Sequence, residues 1–345
     1  KFIRTKKKTK LLWIFCWLAF ILSAIIDNLT ATIVLISLLQ KLVKERQIRL
    51  WFAGLIIIAA NAGGAFSPIG DVTTTMLWIA DKVTTPYLFG YLLLPSLVCM
   101  LVPTYLASRL SVFKGDLDVY GSDDSASGRF SSTMLYLGLS AIIFVPFFKM
   151  VTHLPPYVGM MLSLGIVAIF AEICSSSKFS LEGLDNKKHT SPIHHSLTKI
   201  ELPSILFFLG ILMAVAALES LGILFGFADW LKVSTPHIGT EMAGTAVSDL
   251  VVILLGVGSA VIDNVPLVAA SLGMFSEASD NILWHFIAYS AGTGGSMLVI
   301  GSAAGVVAMG MEKINFFWYL KKISWLAFTG FVCGALVFLF TRTLF

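Results

Sequence analysis

The chain is dominated by long runs of apolar residues that recur from Leu11 to Phe340. A helix needs about 20 apolar residues in a row to cross a bilayer, and several of these runs reach that length. Strands of a membrane barrel alternate apolar and polar residues over about ten positions, whereas these runs are continuously apolar. Only 13% of the 345 residues are charged, against about 25% in soluble domains. The sequence therefore predicts an all-α polytopic membrane protein, with the lipid bilayer as its solvent and no nucleic-acid partner.

The first apolar segment, residues 11–43, is too long for one span and too short for two. Lysines and arginines flank both of its ends, and such residues favour the cytoplasmic side of a membrane. A segment that enters and leaves on one face is a re-entrant hairpin. Its midpoint, Asp27 and Asn28, is expected at the tip, deep in the membrane.

A second segment, residues 245–275, has the same length problem with the opposite flanking charge. Glu241, Asp249, Glu277 and Asp280 lie in or near its ends, without lysine or arginine. Five predicted crossings separate the two hairpins, so a first hairpin on the inside places the second on the outside. The sequence therefore predicts two hairpins that enter the membrane from opposite faces.

The two hairpins also match in sequence. Residues 23–30 (SAIIDNLT) align with residues 259–266 (SAVIDNVP), and each hairpin is followed by a glycine-rich interruption of an apolar segment. These interruptions, residues 60–71 and 291–302, lie in the apolar segments 50–80 and 283–310, which are predicted to be broken transmembrane helices. Repeats of opposite orientation with broken helices are typical of secondary transporters.

The repeats divide the chain into two predicted domains, residues 1–131 and residues 132–345. Three further apolar segments precede the second hairpin, and none precedes the first. From this asymmetry we expect a longer protein with roughly 80–100 additional N-terminal residues, at typical span and loop lengths.

Asp27 and Asp263 are charged residues at positions where the membrane environment makes a charge energetically unfavourable. A charge at a helix centre costs about 2.5–3.5 kcal/mol on insertion scales, so it needs a partner, a cavity or a proton. Capping of the following helix is an alternative role, because a second helix begins at each hairpin tip. The duplicated Asp-Asn pair favours a shared ion-binding role, and Asp71 adds a third carboxylate after the first glycine-rich break.

The predicted site is therefore a Na⁺ site at Asp27, Asp71 and Asp263, with the amides of Asn28, Asn61 and Asn264. Unwound backbone in a membrane must line a cavity or lie within protein, and its carbonyl oxygens suit a hard cation. The predicted supporting ligands are hydroxyls, and glycines allow the backbone breaks. The hydroxyls are Ser23, Thr30, Ser67, Thr73, Ser259, Thr293, Ser296 and Ser302, and the glycines are Gly63, Gly64, Gly294 and Gly295.

Buried carboxylates also predict the coupling. Burial and neighbouring carboxylates favour the protonated form, and a bound cation favours the ionised form, so H⁺ and Na⁺ compete for one site. Exchange of Na⁺ for H⁺ follows if only the loaded and protonated forms reorient. Glu219 lies in an apolar segment and is a candidate for a proton path, with a position at the outer end of its helix as the alternative. We expect no organic cofactor.

Four stretches resemble the NhaD-type sodium/proton antiporters of the ion transporter superfamily: residues 23–30, 60–78, 262–270 and 291–305. The resemblance implies the inverted-repeat fold shared with divalent anion/sodium symporters, whose hairpin tips carry Ser-Asn-Thr. Here the tips begin with Asp27 and Asp263, which fits a cation exchanger better than an anion symporter. The resemblance further implies exchange of Na⁺ or Li⁺ for H⁺, an elevator-like movement and a homodimer.

Three other readings stay open at the level of sequence. An anion transporter of the same superfamily, for dicarboxylate/Na⁺ symport or arsenite efflux, is the nearest alternative. An intramembrane aspartyl protease also needs two membrane aspartates, but its motif is only half present at Gly70-Asp71, and a passive channel can also contain re-entrant hairpins. The expected location is a bacterial cell membrane, with a chloroplast envelope as the alternative.

Overall fold

The computed structural model describes residues 7–116, 131–152, 154, 156–179 and 247–343, and scattered positions between 206 and 234. Across these residues the regular structure is helical, and β pairing is limited to an isolated bridge between Lys7 and Asp116. Four of the described helices, at Lys8–Ile25, Arg46–Ala65, Thr85–Ser108 and Ser324–Thr341, are long and apolar enough to cross a membrane. The predicted all-α polytopic membrane fold is confirmed.

The described helices follow one another in chain order. They are α1 (Lys8–Ile25), α2 (Asn28–Leu42), α3 (Arg46–Ala65), α4 (Val72–Ile79), α5 (Thr85–Ser108), α6 (Ser131–Thr152), α7 (Pro156–Phe179), α8 (Asp249–Ile262), α9 (Asn264–Met274), α10 (Ile282–Gly294), α11 (Ala303–Glu312), α12 (Phe316–Lys322) and α13 (Ser324–Thr341).

Helix packing divides the chain into two compact units. The first is Lys1–Ser122 with Leu212–Phe345, and the second is Asp123–Ile211. The second contains α6 and α7, which pack against each other. The first contains all the other described helices, and therefore brings together parts of both predicted sequence repeats. The division at residue 131 follows sequence similarity rather than packing, and it stays a prediction.

Helix α3 forms the centre of the first unit. Every residue from Leu50 to Ala65 is buried, as expected for a helix that is apolar on all sides. Helices α1, α2 and α5 pack around it, while α8 packs along α10 and α13 along α5.

Two helices stop within the apolar core and resume after a short non-helical stretch. α3 ends at Ala65 and α4 begins at Val72, while α10 ends at Gly294, continues as a 3-10 turn through Met297, and is followed by α11. Backbone groups freed at such breaks must find partners within the protein. Here hydroxyl groups supply several of them, as described below.

The two interrupted helices also end in the same way, at the residues that follow α4 and α11. α4 is followed by Asp81 at φ 53°, and α11 is followed by Lys313 at φ 50°. In both, the next amide bonds back to a carbonyl in the last helical turn, Lys82 N to Leu77 O at 2.9 Å and Ile314 N to Met309 O at 3.0 Å. We call the end with Lys313 the basic end and the end with Asp81 the acidic end.

A buried ion pair joins the two interrupted helices at the basic end. Arg49 Nε lies 3.1 Å from both carboxylate oxygens of Glu312, whose side chain is only 1% exposed. Arg49 also donates to the carbonyl oxygens of Val43 and Lys44. This arginine therefore fixes the start of α3 against the end of α11.

Replacing Arg49 with methionine should lower the free energy of unfolding by about 3 kcal/mol, because the buried Glu312 charge loses its partner. The double variant Arg49→Met/Glu312→Met should lose clearly less, since no unpaired charge remains. Chemical unfolding in detergent measures both. Equal losses in the single and double variants would contradict this account of the pair.

Candidate functional site

Asp27 lies between α1 and α2 in a backbone conformation that is unusual for a residue with a side chain, at φ 145°. Its carboxylate accepts hydrogen bonds from the Thr30 amide at 2.6 Å and the Thr30 hydroxyl at 2.8 Å. The side chain is partly exposed. In this structure Asp27 therefore caps α2, which is the alternative role that the sequence left open.

Asp263 occupies the matching position between α8 and α9, at φ 80°. Its Oδ1 accepts a hydrogen bond from the Asn264 amide at 2.7 Å, and the side chain is partly exposed. Positive φ at a non-glycine residue costs of order 1–3 kcal/mol and persists where the surrounding structure enforces it. Both tips therefore hold an aspartate in a strained conformation next to a helix N-terminus.

Asp71 is the buried carboxylate of the site. It precedes α4, is 2% exposed, and its Oδ2 accepts hydrogen bonds from Asn264 Nδ2 at 2.9 Å and from the Thr73 hydroxyl at 2.8 Å. Asp263 directly precedes Asn264 in the chain, which places its carboxylate near that of Asp71. Asp71, Thr73, Asp263 and Asn264 form what we call the charged half-site.

A second cluster joins the other hairpin tip to the other break. Asn28 Nδ2 donates to Asn61 Oδ1 at 3.1 Å, and Asn61 Nδ2 donates to Ser302 Oγ at 2.9 Å. All three side chains are buried. The Ser302 hydroxyl also accepts from the Gly305 amide and so caps α11. Asn28, Asn61 and Ser302 form the neutral half-site, in which Ser302 takes the place that Asp71 has in the first repeat.

The remaining predicted hydroxyl ligands make structural hydrogen bonds. Ser23 donates to Ala60 O at 2.5 Å, and its counterpart Ser259 donates to Ala291 O at 2.8 Å. Ser67 ties its loop to Ala24 O at 2.6 Å. Thr293 and Ser296 donate to carbonyl oxygens one turn back, Tyr289 O and Thr293 O. Ser23, Ser67 and Ser259 therefore hold the hairpins against the interrupted helices, while Thr293 and Ser296 bond within their own helix. The predicted role of these hydroxyls as ion ligands stays a prediction.

The glycine pairs allow close contact between backbones. A Cβ on Gly63 would collide with the Phe20 backbone, and one on Gly294 would collide with the Gly256 backbone. Gly64 and Gly295 face the backbones of Gly70 and Gly301 in the same way. Both interrupted helices therefore pack against their hairpins at glycine, which has no side chain to exclude a neighbouring chain.

The predicted site residues thus come together in two groups rather than one. Within the described part of the chain, no three histidine, cysteine or acidic side chains are grouped as they would be to hold a metal ion. Asp71 interacts with Asp263, whereas the observed contacts of Asp27 are with its own helix. Glu219 lies outside the described residues.

Sequence reasoning missed two threonines that complete the first break. The Thr74 hydroxyl donates to Ser67 O at 2.8 Å and Asp71 O at 2.9 Å, and the Thr75 hydroxyl donates to Pro68 O and Asp71 O, both at 2.9 Å. These bonds tie the start of α4 to the carbonyl oxygens of the break. The run of three threonines that begins two residues after Asp71 was the available signal.

Substitutions of Asp27 can separate capping from ion coupling. Asparagine caps a helix about as well as aspartate, and alanine does not. We expect Asp27→Asn to keep the thermal stability of the protein but lose cation-dependent proton movement, and Asp27→Ala to lose both. Melting in detergent and a vesicle flux assay measure the two effects. Full transport by Asp27→Asn would leave the cap as the role of this residue.

Comparisons with known proteins identify the family of this chain. The family described as "Citrate transporter" matches residues 2–286. Sodium/proton antiporter 1 of Arabidopsis thaliana is 43% identical over 99% of this chain, which spans 57% of that relative's length. Sodium/proton antiporter 2 of the same plant is 40% identical, with 98% of this chain and 78% of the relative covered.

A bacterial relative extends the comparison. The Na⁺/H⁺ antiporter NhaD of Alkalimonas amylolytica is 33% identical, with 95% of this chain and 69% of the relative covered. A match over 95% of this chain spans both predicted repeats. The chain therefore belongs to this transporter family and, within it, to the NhaD-type sodium/proton antiporters.

Proposed function

We propose that the protein exchanges Na⁺, or Li⁺, for H⁺ across a membrane. The observation that supports this most directly is the charged half-site, where the buried Asp71 carboxylate is bonded to Asn264, the residue next to Asp263. Two neighbouring carboxylates inside a membrane protein are compensated either by protons or by a cation. The substrate that supplies this positive charge can therefore be Na⁺ in one state and H⁺ in the other.

The donors on Asp71 fit this competition. Asn264 Nδ2 and the Thr73 hydroxyl both bond to Oδ2 and hold the carboxylate in one orientation. We propose that Na⁺ binds Asp71 and Asp263 with amide, hydroxyl and backbone oxygens as neutral ligands, because a hard cation prefers oxygen. Protonation of either carboxylate weakens this site and releases Na⁺.

The neutral half-site supports a different role. Asn28, Asn61 and Ser302 are hydrogen-bonded to one another and carry no charge. We propose that they fix the first tip against the second break while the charged half-site changes its occupant. Asp27 stays in the proposal as a coupling residue because it matches Asp263 in sequence, in positive φ and in its helix-capping contact.

Reorientation of the site is proposed to be elevator-like. Both half-sites lie in one compact unit, built from α1–α5 and α8–α13. A site that is contained in one unit can be carried across the membrane barrier without being taken apart. The homodimer that the resemblance implies is proposed as well, and the mass of the detergent-solubilised protein tests it.

Anion transport is the second candidate, and the family description as a citrate transporter favours it. An anion would have to approach Asp71 and Asp263, which repel it. The two buried arginine pairs in the described residues lie at helix ends, where Arg49 is paired with Glu312 and Arg342 with Asp249. The charged half-site therefore supports a cation better than a dicarboxylate.

We also propose which membrane contains the protein. A bacterial cell membrane and a chloroplast envelope were both expected from the sequence. The identities of 43% and 40% to plant relatives exceed the 33% to the Alkalimonas protein. This difference favours the envelope, which localisation of a fluorescent fusion in plant cells tests.

The test of the exchange is a flux assay in vesicles. The protein is reconstituted with a pH-sensitive dye inside, an inside-acid gradient is imposed, and Na⁺, Li⁺, K⁺ or citrate is added outside. We expect rapid alkalinisation of the interior with Na⁺ or Li⁺ and little response to K⁺. No response to any monovalent cation, together with uptake of labelled citrate, would replace cation exchange with anion transport.

A further inference from the structure

The acidic end contains a histidine that the proposed exchange does not use. His285 lies one turn into α10, and its side chain is fully buried. Neither ring nitrogen makes a hydrogen bond of good geometry among the described residues. Nε2 lies 3.4 Å from Asp280 Oδ1, and the Tyr91 ring lies beside the imidazole with centroids 4.9 Å apart. A buried imidazole without hydrogen bonds is unfavourable, and each such group in a native protein calls for an explanation.

Asp280 already joins the two interrupted helices at this end. Its amide donates to Lys82 O at 2.9 Å, and its Oδ1 accepts from the Thr84 amide at 2.7 Å. Lys82 Nζ donates to Glu277 O at 3.0 Å and lies 4.8 Å from the Trp284 ring centroid. The loop before α10 is therefore held against the loop after α4 by bonds that meet at Asp280.

The titratable groups around His285 come from several elements. α5 contributes Tyr87 and Tyr91, the loop after α4 contributes Asp81 and Lys82, and the loop before α10 contributes Glu277 and Asp280. α8 and α13 contribute the Asp249–Arg342 pair. α9 has no titratable residue, and the charged residues of α3 lie at the basic end, away from His285. Burial raises the pKa of the Asp280 carboxyl, but the His285 imidazole and the Thr84 amide lower it by more, so the pKa lies below its ordinary value.

A proton on His285 would change this contact directly. A neutral imidazole carries one proton, so only one ring nitrogen can donate, and the contact of Nε2 with Asp280 Oδ1 at 3.4 Å is long. Imidazolium is a donor at both nitrogens, and a charge-assisted hydrogen bond to a carboxylate is shorter and about twice as strong as a neutral one.

We propose that His285 and Asp280 form a proton-operated clasp that regulates the exchange site from the acidic end. Protonation of His285 closes the clasp by fixing the Asp280 side chain, whose residue already bonds to Lys82 and Thr84 after α4. The loop before α10 is then held more firmly against the loop after α4, and reorientation of the site slows. Deprotonation opens it and permits faster exchange. α4 begins directly after Asp71 and α10 leads into the second break, so both helices connect the clasp to the half-sites. The effect on transport rests on the proposed function, whereas the closing of the clasp does not.

Hydrogen exchange tests the clasp without transport. The Thr84 and Asp280 amides are compared at pH 6 and pH 8 in the intact protein, after correction for the intrinsic pH dependence of exchange. In the wild type we expect protection at pH 6 to exceed that at pH 8 by roughly tenfold, as one hydrogen bond to a charged group allows. His285→Gln cannot be protonated and should show no difference. An unchanged pH effect in this variant would overturn the clasp.

Transport at varied pH on the acidic-end side tests the regulation. His285→Gln and Asp280→Asn should both exchange faster than wild type at pH 6 by roughly tenfold, the same factor as the protection. The double variant should match the singles, because both remove one interaction. Glu45→Gln, an exposed carboxylate at the basic end, is the control and should behave as wild type. Changed protection with an unchanged rate would overturn the regulatory role, while absence of transport in every protein would reject the proposed function instead.

Discussion

Asp71→Asn should abolish Na⁺-dependent proton movement while the protein remains folded. Asparagine has the same shape and can still accept from Asn264 and Thr73, but it neither carries the charge that holds Na⁺ nor releases a proton. Loss of a buried charge partner is worth about 3 kcal/mol or more, which corresponds to at least roughly a hundredfold weaker Na⁺ binding. Vesicle flux as a function of Na⁺ concentration measures the loss, and melting in detergent measures the fold.

Two further variants sharpen this test. Asp116→Asn removes an exposed aspartate of the same unit and should exchange as the wild type does. Asp71→Glu keeps the charge but lengthens the side chain in a site where the backbones of Gly64 and Gly292 lie close to Asp71. We expect it to transport poorly. Wild-type flux in Asp71→Asn would remove this carboxylate from the coupling mechanism and require a different one.

The hairpin tips and helix breaks could be predicted from the sequence because each occurs twice. An aspartate within an apolar run is unusual, and its repetition with the same neighbours, followed by the same glycine pairs, cannot be assigned to an ordinary loop. The apolar length of residues 11–43 further required a turn near Asp27. In the structure, α1 ends at Ile25 and α2 begins at Asn28.

The pairing of these elements could not be predicted. Asn264 bonds to Asp71, and Asn61 bonds to Ser302, across separations of 193 and 241 residues. In each case the contact joins one predicted repeat to the other. Such contacts depend on how the two interrupted helices cross, and no local propensity or spacing determines that crossing.

The role of each hydroxyl side chain could not be predicted from the residue types either. Hydroxyls near a helix break can serve an ion or a free carbonyl, and both uses favour the same residues. Thr293 and Ser296 bond to nearby carbonyls, whereas Thr73 bonds to Asp71. The direction in which each hydroxyl points decides between the two uses, and that direction is a property of the packed structure.

The second large effect is a loss of stability, expected at two glycines that pack against the hairpins rather than at the ion site. Gly63→Ala and Gly294→Ala each place a Cβ against the backbone of a neighbouring hairpin, at Phe20 and Gly256. Backbone cannot rotate away as a flexible side chain can, so the hairpin itself must shift. Overpacking of this kind costs about 1–3 kcal/mol, and more where backbone is displaced. We expect a lower free energy of unfolding, together with loss of flux.

The matched control for these variants is Gly310→Ala in α11, where an added Cβ meets no atom within 4 Å. Alanine is the better helix former by about 1 kcal/mol, so this variant should be as stable as the wild type or slightly more stable. Because the same chemical change gives opposite signs at Gly294 and Gly310, helix propensity cannot explain both. Equal stability of all three variants would mean that the hairpins do not pack at these glycines. The tips would then lack the support that holds Asp263 and Asn264 against Asp71, and the charged half-site would need another scaffold.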